Sequence, residues 1–158
     1  MNKETAIQEL RESFKFLSNS SSCLSEEDSE FAPKEGLMTV AQQFAHIAQT
    51  VDWFINPIET GDSFNMDFEG LYEKAMQVCS LEKAKDWLSK SIDSAVAILE
   101  DKDDAYLSGL LPEGPIMGGE PRLSVIGGIL DHTSHHRGVL TVYARLLGKT
   151  PSMPYGDF

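Results

Sequence analysis

The feature that most constrains the fold is a pair of histidines, His132 and His136, in the last long amphipathic segment of the chain. Residues four apart on an α-helix project from the same face, one turn above the other. Both histidines lie within about 40° of one apolar stripe, which also contains Val125, Ile129, Tyr143 and Leu147. Each buried imidazole needs partners for its ring nitrogens, because an unpaired polar group costs free energy. A divalent cation shared by the two rings meets this need, so the pattern predicts a metal site inside a helical core.

A third ligand has to come from another part of the chain, which contains four histidines in total. His46 lies on the flank of the apolar stripe of an earlier helical segment, a position that suits the wall of a cleft. His135 is the alternative, but it falls roughly 80–100° from His136 around the helix and points towards the flank. We therefore predict His46, His132 and His136 as ligands. The competing interpretation is three ordinary histidines in a helix interface.

Three neutral nitrogens without a thiolate suit zinc or nickel, with iron, cobalt or manganese as alternatives. Three protein ligands also leave a coordination position for water or substrate, as in catalytic zinc sites. Gln43 and Thr50, one turn on either side of His46, are candidate partners for the ligands, and so is Tyr143. Polar packing at a helix interface is the alternative for these three residues. Arg137 points away from the apolar stripe.

Four amphipathic segments predict an all-α fold, a four-helix bundle with long connections between the helices. Thr39 and Gln42 have the form of a capping box at the start of the second helix, and Pro57 is expected to end it. Pro121 fits the first turn of the fourth helix, which Gly148 stops. The connection 59–79 is expected to contain one short helix, and the tail is expected to pack back on the bundle. The four predicted helices cover residues 3–18, 39–57, 80–100 and 121–147.

Length, charge and cysteine content limit the class of protein. A chain of 158 residues is predicted to form a single domain, residues 1–158. Its net charge of −12 argues against nucleic acid and anionic membranes as partners. There is no apolar run long enough to cross a bilayer, and the N-terminus does not have the pattern of a signal peptide. Cys23 and Cys79 are expected to be reduced, in a cytoplasmic protein.

Residues 39–48 (TVAQQFAHIA) and 131–138 (DHTSHHRG), followed by 143–148 (YARLLG) and 154–156 (PYG), resemble the signature of the DinB-like (damage-inducible) superfamily. The resemblance implies a four-helix bundle, often a homodimer, in which three histidines hold a divalent metal. Carried onto this sequence, the ligands are His46, His132 and His136. Relatives include transferases and isomerases that use bacillithiol, mycothiol or glutathione. The family commonly has glutamine after His-Arg-Gly, whereas Val139 stands there in this chain.

Two functions of different classes follow. The first is a metal-dependent thiol S-transferase, in which the metal activates a low-molecular-weight thiol for attack on an electrophilic small molecule. The alternative is a non-catalytic, stress-related module in which the metal stabilises the bundle. A metal-dependent hydrolase is a third possibility.

Overall fold

The computed structural model describes residues 1–156, so the last two residues of the predicted domain lie outside it. Within this range the all-α prediction is confirmed, since the only strand-like pairing is one isolated bridge between Leu110 and Pro121. A short 3₁₀ helix, Glu26–Asp28, follows the first α-helix. The α-helices in chain order are α1 (Lys3–Ser20), α2 (Val40–Thr60), α3 (Phe68–Met76), α4 (Leu81–Asp101), α5 (Asp104–Ser108) and α6 (Ser124–Leu146).

The four long helices form the predicted bundle. Helix α2 packs against α4 and α6, and α1 packs against the same two helices, so the four close around one core. The core consists of fully buried aliphatic side chains from each of them, among them Leu10, Ile47, Leu88 and Ile126. The short helix α3 packs on α2. This arrangement places the inner faces of α2 and α6 opposite each other, with α3 beside α2.

The capping box predicted for α2 is confirmed, and α4 is capped as well. The Thr39 hydroxyl accepts from the Gln42 amide at 3.2 Å, and the Thr39 amide donates to the Gln42 side chain at 2.8 Å. Ser80 caps α4 by accepting from the Lys83 amide at 3.2 Å. Two donors at the start of α2 are thereby satisfied, which fixes where this helix begins relative to its histidine.

The expected end of α2 at Pro57 is wrong. The helix continues through Pro57 to Thr60 and ends at Gly61, which adopts a left-handed conformation with φ of +79°. Proline removes one backbone hydrogen bond, but here its ring is buried and the next residue, Ile58, is fully buried in the core. Burial of these two side chains offsets the lost bond, and glycine then supplies the turn that ends the helix.

The expected start of α6 at Pro121 is also wrong, because α6 begins at Ser124. Residues before it are paired with an earlier segment: Pro121 bridges to Leu110, and the Arg122 amide donates to the Gly109 carbonyl at 2.9 Å. That pairing holds Pro121 and Arg122 against the earlier segment, and Leu123 becomes the N-cap of α6. The connection 101–120 also contains α5, which the sequence analysis did not predict.

The C-terminal tail packs back on the bundle as expected. The Asn19 side chain donates to the Pro154 carbonyl at 2.9 Å, and the Tyr155 ring meets Phe16 edge to face at 5.0 Å between centroids. The helices of residues 1–156 lack the combination of length and apolar character that a membrane span requires.

Candidate metal centre

The structure brings the three predicted ligands together between α2 and α6. His46 comes from α2, and His132 and His136 come from successive turns of α6. The three side chains form a group whose candidate ligand atoms all lie within 4.8 Å of one another. His135 is exposed and is not part of this group. The helix geometry that separated His135 from His132 and His136 therefore describes the folded chain correctly.

The atoms that converge are the Nε2 nitrogens. The Nε2 atom of His132 lies 3.2 Å from that of His46 and 3.1 Å from that of His136. With metal–nitrogen bonds of about 2.0–2.1 Å, adjacent nitrogens are about 2.9 Å apart in an octahedral site and about 3.3 Å apart in a tetrahedral one. The two separations from His132 fall between these limits, and all three candidate ligand atoms lie within 4.8 Å of one another. The donor set and its spacing fit a first-row divalent ion.

The pKa values of all three histidines are lowered. Burial is the largest cause for each of them. Burial together with the neighbouring histidines lowers the pKa of His132 to about 4 and that of His136 to about 3. Burial also lowers the pKa of His46, and the Gln49 side chain opposes part of this effect. The imidazoles are therefore neutral near pH 7, which is the form that binds a metal.

Gln43 orients His136. The Nδ1 atom of His136 lies 2.5 Å from the Gln43 side-chain oxygen. A carbonyl oxygen only accepts, so Nδ1 carries the proton and donates it. This assigns the lone pair of His136 to Nε2, the atom that faces the other two histidines. Within residues 1–156, the Nδ1 atoms of His46 and His132 are buried without a hydrogen-bond partner, so His136 is the ring whose orientation is fixed most firmly.

Tyr143 does not hydrogen-bond to any of the three histidines. Its hydroxyl donates to the Met38 carbonyl at 3.1 Å and not to a histidine. Burial raises the pKa of Tyr143, while its contact with the Gln43 side chain works in the opposite direction. The hydroxyl of Tyr143 is thus held by the Met38 carbonyl, and it does not contact the histidines. The sequence placed Gln43 one turn from His46, but the folded chain places its amide against a histidine of the other helix.

Thr50 was expected to hydrogen-bond a histidine at the nitrogen that does not face the metal, but it lies elsewhere. Its hydroxyl oxygen lies 3.4 Å from Nε2 of His132, the nitrogen that faces the group, and not beside Nδ1. A hydroxyl there adjoins the place where an exchangeable ligand would sit. Arg137 lies against the rings of Phe16 and Tyr155, away from the histidines. Val139 is half-buried and packs against the core.

The histidine group opens onto a cavity of about 370 Å³. Its walls come from α2, α3 and α6, and most of the residues between the histidines and the outside are aromatic. Sequence reasoning missed this cavity, although aromatic residues recur every four positions at Phe64, Phe68 and Tyr72. The lining consists of His46, Gln49, Thr50, Trp53, Phe54, Phe68, Leu71, Tyr72 and His132.

The ligand set defines the electrostatics of the site. Among the residues described, the group contains histidines alone and no carboxylate. A divalent cation held by three neutral ligands keeps its full formal charge. Such a site favours an anionic exchangeable ligand, for example a hydroxide or a thiolate, over a neutral one.

Comparison with known proteins identifies the family and the fold of the chain. The family model described as the DinB family matches residues 2–158. The structure is similar to the crystal structure of the DinB-like protein YjoA from Bacillus subtilis, with a TM-score of 0.70 and 18% sequence identity over 98% of this chain and 99% of that one. At this identity the structural match shows the fold alone. No curated protein matches the sequence significantly. On the family match over nearly its whole length, the chain belongs to the DinB family.

Proposed function

We propose that this DinB-family protein is a metal-dependent thiol S-transferase. The observation that carries the proposal is the position of the three-histidine group at the edge of an open cavity, where His46 and His132 form part of the wall. A purely structural metal site is closed by a complete set of protein ligands. A site with three protein ligands beside a cavity leaves room for a small molecule to reach the metal.

The residues have distinct roles in this proposal. His46, His132 and His136 would hold the metal, and Gln43 keeps the proton of His136 on Nδ1. A bound divalent ion supplies a Lewis acid that favours the thiolate form of a thiol near neutral pH. The Thr50 hydroxyl can donate a hydrogen bond to a sulfur beside His132. The aromatic walls lower the polarity on one side of the cavity, which strengthens electrostatic interactions there.

The proposed reaction is a displacement in which a thiol RSH and an electrophile R′X give RSR′, a proton and X⁻. A sulfur lone pair forms the new C–S bond, and the leaving group departs with the electrons of the C–X bond. Among the described residues that line the cavity there is no carboxylate or lysine. The thiol proton therefore passes to solvent, and the lowered pKa of the thiol replaces a general base.

We propose zinc or nickel as the metal, since three imidazoles suit both ions. We also propose that the protein is a cytoplasmic homodimer and that its thiol is bacillithiol, mycothiol or glutathione. The alternative function is a non-catalytic, stress-related metal-binding module. The cavity beside His46 and His132 favours the enzyme over this module. A metal-dependent hydrolase, in which the metal would activate a water molecule, is the third candidate.

The test uses protein reconstituted with cobalt, whose visible spectrum reports its ligands. Addition of each thiol is expected to change the spectrum of the wild type and of the exposed-histidine control His135→Ala. The His136→Ala variant is expected to lose the cobalt spectrum. Metal-dependent conjugation of the same thiols to 1-chloro-2,4-dinitrobenzene is then measured by absorbance. A spectrum that no thiol alters, together with no conjugation, would refute the transferase and leave the structural module.

A further inference from the structure

We propose that the cavity beside the histidine group binds a small, uncharged aromatic molecule. The role of that molecule as the electrophile R′X rests on the proposed transferase function. Its binding does not, because the aromatic walls are present whether or not the protein is catalytic. The inference concerns the part of the cavity that lies beyond His46 and His132 and is closed by α2 and α3.

The walls of the cavity contain no carboxylate, lysine or arginine. Of the nine described residues that line it, only the two histidines and the phenol of Tyr72 carry an ionisable group. Four of the nine are aromatic, and Leu71 adds a further apolar surface. A carboxylate or ammonium group placed here would lose its hydration without gaining a partner of opposite charge. An aromatic ring loses little hydration and gains contacts with the faces and edges of other rings.

The aromatic residues of α3 face this cavity and not the core. Phe68 and Tyr72 lie on one face of the helix, at a spacing of four, and they are 49% and 48% exposed. The one buried residue of α3 is Ala75. Large aromatic side chains left half-exposed beside a cavity are typical of a binding surface. The exposed apolar area of α3 is therefore available to a ligand.

The wall behind them is rigid. The indole of Trp53 donates to the Asn65 carbonyl at 2.7 Å, which fixes its orientation. Its ring lies 4.9 Å from Phe54, 4.6 Å from Phe64 and 5.9 Å from Phe68, measured between centroids. The rings therefore support one another in tilted and edge-to-face contacts. Because the rings are already ordered, a ligand that binds to this wall does not incur the entropy cost of ordering those side chains.

Gly128 allows Phe54, which forms part of the cavity wall, to pack directly against α6. A Cβ atom at this position would lie 2.5 Å from the ring of Phe54. Any larger residue at position 128 would therefore displace this ring. Because Phe54 lines the cavity, such a displacement changes the position of the cavity wall.

A neighbouring cavity of about 200 Å³ differs from the first in the polarity of its walls. It shares Gln49, Trp53 and Leu71 with the first cavity, but its other walls are mostly polar or charged. The polar and charged residues are Asp52, Asn56, Asn65 and Lys74, and the ring of Trp87 completes the wall. The charged side chains thus stand on one side of Trp53 and the histidines on the other. The apolar cavity, at the lower end of the size range of small-ligand pockets, suits a molecule of one or two rings without a charge.

The test is calorimetric titration of the metal-free protein without thiol. The probes are 4-nitrobenzyl alcohol, which is uncharged, and 4-nitrobenzoate, which has the same ring and a negative charge. Saturable binding of the alcohol is expected, with affinity for the benzoate weaker by about tenfold or more. Equal binding of both probes, or binding of neither, would overturn the inference.

Three variants locate the binding site. Phe68→Ser with Tyr72→Ser removes exposed rings from α3, and Gly128→Ala displaces Phe54; each is expected to weaken binding of the alcohol by about tenfold. Tyr155→Ser removes an equally exposed ring remote from the cavity and is expected to leave binding unchanged. Circular dichroism establishes that each variant is folded. Unchanged affinity in the α3 double variant would contradict the inference. Metal and thiol are absent from this titration, so failure of the conjugation assay does not affect its outcome. If the protein conjugates aliphatic electrophiles but does not bind the probe, the inference is refuted and the transferase function is not.

Discussion

Replacement of Gln43 by leucine is predicted to weaken metal binding although Gln43 does not touch the metal. The side chain is 5% exposed and accepts the Nδ1 proton of His136. Leucine has a similar size but no acceptor. In the metal-free protein the proton can move to Nε2 of His136, where the Nε2 atom of His132 accepts it at 3.1 Å. In the metal-bound protein Nε2 is the ligand, so the proton has to stay on Nδ1, buried and without a partner.

The cost of the substitution therefore falls mainly on the metal-bound state. An unpaired buried N–H group costs about 1–3 kcal/mol, and loss of a hydrogen bond to a metal-binding histidine typically lowers metal affinity by about 10–100-fold. We expect zinc affinity to fall by that factor, which corresponds to about 1.4–2.7 kcal/mol. The loss of thermal stability of the metal-free variant is expected to be smaller, because the proton can relocate.

The assay is competition for zinc with a chromophoric chelator at constant pH. Gln43→Glu is the matched variant, since it keeps an acceptor at the same position and adds a negative charge that favours the cation. Its affinity is expected to equal or exceed that of the wild type. A leucine variant that is folded and binds zinc within about threefold of the wild type would refute the idea that Gln43 fixes the ring of His136.

Two further predictions concern stability. The metal-free protein is expected to lose stability as the pH falls from about 6.5 towards 4. In this range the histidines of the unfolded chain take up protons. In the folded chain His132 and His136 do not, because their pKa values are lowered to about 4 and about 3. Melting temperatures across this range check the sign, and a flat profile or a rise on acidification would contradict it. Gly127→Ala, at an exposed helical position with nothing within 4 Å of the new Cβ, is expected to raise stability by about 0.4–1 kcal/mol. Gly128→Ala, which drives a Cβ into Phe54, is expected to lower it by about 1–3 kcal/mol; equal effects of the two alanines would show that Phe54 moves aside freely.

The parts of the fold that were predictable from the sequence depend on local chemistry. The four long helices follow from apolar spacing, and the starts of α2 and α4 follow from capping by Thr39 and Ser80. Pro57 and Pro121 were misjudged because their effect depends on tertiary context. The burial of Pro57 and Ile58 keeps one helix going, and the pairing of Pro121 with Leu110 delays another. A local pattern does not contain that information.

Some features of the candidate site were also predictable from local sequence, and others depend on how the helices pack. The convergence of His132 and His136 follows from their spacing of four on one helix, and the flank position of His46 made it the natural third member. The contact between Gln43 and His136 joins two helices and depends on how α2 and α6 pack. The cavity depends on where α3 lies beside α2. Long-range packing of this kind has no periodic signal in one sequence.

The most direct test of the metal centre is elemental analysis of untagged protein, with wild type compared with His46→Ala, His136→Ala and the exposed control His135→Ala. About one first-row transition metal ion per chain is expected in the wild type and in His135→Ala, because three protein ligands can hold one ion. Both His46→Ala and His136→Ala are expected to lose it. Wild-type protein that contains no such metal, even after incubation with zinc or nickel, or variants that retain the full content, would contradict the metal centre and the function proposed from it.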